Sequence, residues 1–80
     1  MKIKGKCLIG SEVNLDSYTS NWMSIKLHPQ VYFRRIDEIQ QSLETTTGLY
    51  TLIDMVQYIV IRFSDKADVT TFYRKHHEYI

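Results

Sequence analysis

Cysteine is nearly absent from this chain of 80 residues: Cys7 stands alone, so no internal disulfide can form. Small secreted domains lean on several disulfides, and their absence points to a reducing, cytoplasmic setting. Glycine is scarce too. Gly5, Gly10 and Gly48 are the only three, and they lie too far apart to build a phosphate-binding loop. No charge of one sign dominates, since ten Lys and Arg against nine Asp and Glu leave a formal net charge of +1. That balance removes the global electrostatic argument for nucleic acid or an anionic membrane and leaves only local patches. Long apolar runs are also missing. The opening "MKIKGKCLIG" has the cationic start of a leader but only three apolar residues in a row, far short of a leader core or a membrane span.

What is present is the composition of a folded protein, 44% hydrophobic and 24% charged, ordered along its length and forming one domain over residues 1–80. Ile3, Gly5, Cys7 and Ile9 alternate with Lys2, Lys4 and Lys6, which predicts one half-buried strand with Cys7 facing the core. The polar stretch "GSEVNLDSYTSN" reads as a turn region in which Val13 and Leu15 extend a short strand. A second strand follows in "NWMSIKL", where Met23, Ile25 and Leu27 share a face.

From Pro29 the period becomes helical. Tyr32, Ile36, Ile39 and Leu43 form one stripe, Pro29 suits the first turn, and Gly48 is placed to end the helix in a left-handed cap, with the preceding threonines fraying the last turn. "LYTLIDMVQYIVIRF" is too β-branched and aromatic for an exposed helix and is cut near Asp54 to Gln57 into a hairpin. Asp65 or Ser64 then caps a final helix, with Val69, Phe72, Tyr73, His76 and Ile80 on its inner face. The polar cluster between strand and helix is thus a joint, not a catalytic loop. The expected fold is α+β: a four-stranded antiparallel sheet in ββαββα order, both helices on one face and the other face open.

No catalytic residue, cofactor site or metal site is expected. His76 and His77 are adjacent and project about 100° apart on a helix, so they cannot share a metal as an i, i+4 pair does. Cys7 lacks a neighbouring base, Asp54 lacks a second carboxylate, and Arg34 with Glu38 reads as a solvated helix pair. An enzyme is therefore not expected. Aromatics interleaved with cations carry more weight. Trp22, Tyr50 and Tyr58 are expected on the open face beside Lys2, Lys4, Lys6, Lys26 and Arg62, as anchors for a partner protein. The same set can stack unpaired bases of single-stranded RNA or DNA, although no RNA-recognition motif is present.

The run "YIVIRFSDKADVTTFYRKH", with Phe63, Ser64, Asp65, Asp68 and Phe72, resembles the closing strand and helix of small accessory proteins of large tailed phages. The likeness covers about a quarter of the chain. It implies a non-catalytic protein that binds and redirects a host or defence component, and it carries over no functional residue. The sequence thus leads to an adaptor or inhibitor contacting a protein partner through Trp22, Lys26, Tyr50, Tyr58, Arg62, Lys4 and Lys6. Nucleic acid is the alternative ligand, a homodimer through the open face is compatible, and no membrane is involved.

Overall fold

The computed structural model describes residues 1–80, the side chain of residue 79 excepted. Among the described residues it has five strands, four α-helices and a closing 3-10 turn. The strands are β1 (Lys2–Lys4), β2 (Cys7–Ile9), β3 (Met23–Leu27), β4 (Tyr50–Asp54) and β5 (Ile59–Phe63). The helices are α1 (Glu12–Tyr18), α2 (Pro29–Arg34), α3 (Ile36–Glu44) and α4 (Lys66–His76), followed by the 3-10 turn His77–Tyr79.

These strands form one sheet in the order β1-β2-β4-β5-β3. It is mixed: β2 runs parallel to β4, and the other neighbours are antiparallel. This corrects the expected four-stranded antiparallel sheet with two helices. The fold is α+β, but the expected first strand is a hairpin and the expected turn region is a helix. Gly5 explains the first correction. It sits at φ +61° between Lys4 and Cys7, the first central position of a two-residue loop, where a II′ turn needs glycine. Because the chain reverses there, Ile3 pairs with Leu8 while Lys2 and Lys4 pair with Ile9 and Cys7. Leu8 is buried, Cys7 is only half-buried, and Ile3 lies on the opposite sheet face from Cys7 and Ile9.

The second correction rests on Ser11, whose hydroxyl accepts from Asn14 N and caps α1. Leu15 and Thr19, four apart, are the buried face of this segment, at 4% and 0% exposure. Thr19 Oγ1 donates to Leu15 O and the Thr19 amide donates to the same carbonyl, closing the helix. Val13 and Leu15 resemble a strand pair only while Thr19 is counted as polar. α1 lies over β4, so the sheet face expected to be open carries a second core of Leu8, Leu15, Ile53 and Val60, with Trp22 and Tyr58 packed at its margin.

The larger core lies on the other face. Ile25, Leu27, Ile59, Ile61 and Phe63 from the sheet meet Tyr32, Ile39, Leu43 and Phe72 from the helices. The stripe Tyr32, Ile36, Ile39, Leu43 faces inward as its spacing predicts, yet the helix breaks at Arg35, with φ −116° and ψ 27°. No residue in that stretch explains the break. Val69 is half-buried and Phe72 buried, but Tyr73 is 53% exposed and does not belong to the inner face of α4.

Two turns show how side chains stand in for glycine, or require it. The β4–β5 hairpin falls where expected and lacks glycine because Val56 itself takes φ 71°, with Gln57 N donating to Met55 O in the i to i+2 pattern of a γ-turn. Asp54 Oδ1 accepts from Val56 N at 2.8 Å and holds that strained residue in place. Gly48, by contrast, is not left-handed. It is small because a Cβ there would lie 2.6 Å from Ser64 Oγ and 3.2 Å from Asp65 Cβ. The loop before β4 is thereby pressed against the joint between β5 and α4.

Candidate functional site

The polar joint after β5 collects several hydrogen-bonding groups. Asp65 caps α4 by accepting from Ala67 N. Ser64 Oγ accepts from Leu49 N and donates to Leu49 O. Asp68, 6% exposed, accepts from Thr47 N and Gly48 N at 2.8 Å each. Ser64 and Asp68 thus tie the α3–β4 loop to the start of α4, and Asp65 caps the helix itself.

A Ser–His contact that the sequence does not announce lies beside it. Ser42 Oγ on α3 and His76 Nε2 on α4 are 2.7 Å apart, and both residues are buried. Residues 34 positions apart give no sequence signal, and Ser42 stands beside the apolar stripe at Leu43 rather than in it. Ser42 Oγ also lies 3.2 Å from Glu38 O, and the tautomer of the His76 ring sets which partner donates across the Ser42–His76 contact. The adjoining cavity, lined by Ser42, Asp68 and Phe72 among others, measures about 40 Å³, space on the order of one or two waters.

His76 nonetheless makes stability depend on pH. Burial pushes its pKa below the ordinary 6.5, Lys75 and Arg35 push the same way, and Glu38 opposes them. The unfolded chain therefore binds more protons than the folded one between the two pKa values. The contribution of His76 is complete above about pH 6.5 and is lost as the pH falls toward the folded value. The melting temperature is expected to drop between about pH 7 and pH 5, and His76→Gln should flatten that drop. Thermal melts across that range check it, and an equal drop in both proteins would count against His76.

The seven residues expected to share one contact face are divided by the sheet. Trp22, Lys26, Tyr58 and Arg62 lie on the face carrying α1. Arg62 is held there: it pairs with Asp16 Oδ1 at 2.8 Å and donates to Asp16 O and Thr19 Oγ1. Lys26 Nζ sits 4.9 Å from the Tyr58 ring centroid, a cation–π arrangement. Trp22 meets Tyr18 edge-on at 6.4 Å. Trp22 and Tyr58 are half-buried, so their rings are spent largely on the second core rather than offered as a flat stacking platform.

Lys4, Lys6 and Tyr50 come together on the opposite face. There the β1–β2 hairpin extends past α3, leaving a groove of about 510 Å³ with Cys7, Ile9 and Tyr50 along the strands and Gln40 and Glu44 on the helix. The register accounts for it: Lys4 is opposite Cys7, and Cys7 aligns with Tyr50 across the parallel pair. Lys6 Nζ donates to Thr47 O at 3.2 Å, bracing the hairpin. Burial pushes the Cys7 thiol up, against a lowering hydrogen bond from Tyr50. Burial, followed by the neighbouring Cys7, pushes Tyr50 up to about 12. Neither ionises near neutral pH, so the floor of the groove is uncharged and the thiol is not an activated nucleophile.

Among the described residues no group of three or more His, Cys, Asp or Glu is arranged to hold a metal ion. No helix among them is long and apolar enough to cross a membrane. No family model matches the chain, and no curated protein or solved structure matches it either.

Proposed function

We propose that this protein acts by binding, as a small non-catalytic adaptor or inhibitor that occupies the surface of a partner protein. The observation that carries this reading is the groove beside the β1–β2 hairpin, where Lys4, Lys6 and Tyr50 converge next to a strand that has a neighbour on only one side. The phage likeness of the Tyr58–His76 run supplies a source for the partner, a host or defence protein.

Single-stranded nucleic acid is weighed against this on two observations. The ion pair to Asp16 occupies Arg62, and the rings of Trp22 and Tyr58 pack against the second core. Base stacking needs exposed ring faces, and phosphate tracking needs several free cations. The experiment is affinity capture from a lysate with and without nuclease, repeated with Lys2→Glu/Lys4→Glu and with the exposed control Lys66→Glu. A protein retained despite nuclease, lost in the hairpin double variant and kept in the control is the expected result. Capture abolished by nuclease, with steeply salt-dependent oligonucleotide binding, would replace this reading with the nucleic-acid one.

A further inference from the structure

The free edge of β1 has a chemistry that selects among strands. Tyr50 N donates to Lys6 O across the β2–β4 pair, so the backbone groups of Lys6 face β4. Alternation along β2 then turns Cys7 and Ile9 toward β1. Their partners Lys4 and Lys2 are accordingly the residues of β1 bonded to β2. Ile3, between them, points its N–H and C=O outward at the sheet edge. An incoming antiparallel strand would bond to Ile3 and set its own residues against Lys2 and Lys4 in the non-bonded positions, where side chains approach most closely.

That geometry disfavours a second copy of the chain. Any antiparallel β1–β1 pairing that keeps the faces aligned sets residue 2 or 4 opposite an even-numbered residue of the other copy, and residues 2, 4 and 6 are all lysine. Like charges directly opposite destabilise such a pair, and edge lysines are a known guard against self-pairing. The same two lysines attract carboxylates. Ile3 adds a third constraint: it is 59% exposed on the other face of the hairpin, next to buried Leu8. An apolar side chain opposite Ile3 would cover it.

On these grounds, and resting on the binding reading above, we infer that β1 accepts an extended acidic segment of a partner protein as a sixth strand. Its recognised core is acidic–apolar–acidic, the two carboxylates facing Lys2 and Lys4 and the apolar residue facing Ile3. Main-chain bonds give the affinity in this mode, and the alternate side chains give the selectivity. Glu44 on the far wall of the groove repels carboxylates there, so the acidic positions are confined to the β1 side.

The test uses the full chain and a short fluorescein-labelled peptide with a Glu-Val-Glu-Val-Glu centre, followed by fluorescence anisotropy. Saturable binding is expected. Lys2→Glu/Lys4→Glu should weaken it at least about tenfold and create binding for the Lys-Val-Lys-Val-Lys counterpart. Ile3→Pro removes the outward N–H while leaving the β1–β2 ladder bonds, which proline on an edge strand permits. It should abolish peptide binding with the melting temperature nearly unchanged. Should Ile3→Pro fail to fold, the charge exchange between the two lysine-reversal partners decides alone. No saturable binding, or binding indifferent to the lysine reversal, overturns the inference. Equal binding by a peptide with the same residues but its acids contiguous overturns it too. Lysate capture that persists while the peptide never binds overturns the acidic strand and leaves the binding reading standing.

Discussion

Phe72→Ala is expected to cost about 3–5 kcal/mol, the range for removing a large buried ring. Phe72 is 3% exposed and lies where the two arms of the larger core meet. Its ring centroid is 5.6 Å from that of Phe63 on β5 and 4.6 Å from that of His76 one turn along α4. Truncation therefore loses apolar area and also leaves His76 without the ring that packs beside it, at the point where His76 meets Ser42. A chain of this length has on the order of 4–12 kcal/mol of stability to lose, so the variant should be largely or wholly unfolded at 37 °C by circular dichroism. A melting temperature equal to the parent's would mean that α4 does not pack through this face.

Asp68→Ala is expected to produce the second large loss, about 3 kcal/mol, through hydrogen bonding instead of area. Its carboxylate is the acceptor for two backbone amides, Thr47 N and Gly48 N, in a loop pressed against the joint by the smallness of Gly48. Alanine leaves both amides without that charged acceptor, and a water entering from the adjoining cavity would replace it only in part. Asp68→Asn keeps the shape and one acceptor oxygen, and should recover roughly half of the loss. Denaturant midpoints order the three proteins. Faster amide exchange at Thr47 and Gly48 in the alanine variant identifies the cause, and unchanged exchange there would refute it.

How legible each element was depended on whether its signal was local. The inner stripe of α2 and α3, the cap at Asp65, the β4–β5 hairpin and β3 could all be read from spacing and turn chemistry. In each of these, neighbours in sequence fix both the conformation and the face it buries. The β1–β2 hairpin and α1 were misread because their cues are weak individually. A single glycine reverses the first, and the apolar face of the second is one leucine and a threonine whose hydroxyl is satisfied by the helix's own backbone. Gly48 was misread in kind: it looked like a cap, but its role is set by Ser64 and Asp65, residues far along the chain.

The candidate site followed the same division. Its residue types, lysines interleaved with aromatics, are evident in the sequence, but which of them share a surface is not. A missed helix closed one sheet face and drew Arg62 into an ion pair with Asp16. A missed hairpin moved Lys4 to the other face, beside Cys7 and Tyr50.

By itself, then, the sequence determined the α+β class, the positions of most strands and helices, and the absence of any spaced catalytic or metal-binding motif, because these depend on composition and on periods of a few residues. Only the tertiary structure decided the rest: the parallel β2–β4 contact, the helix over the second face, the buried meeting of Ser42 with His76, and the lysine-flanked edge of β1. Each of those joins residues whose separation in sequence carries no periodic signal, or turns on a strand reversal of two residues that flips every side chain after it to the opposite face.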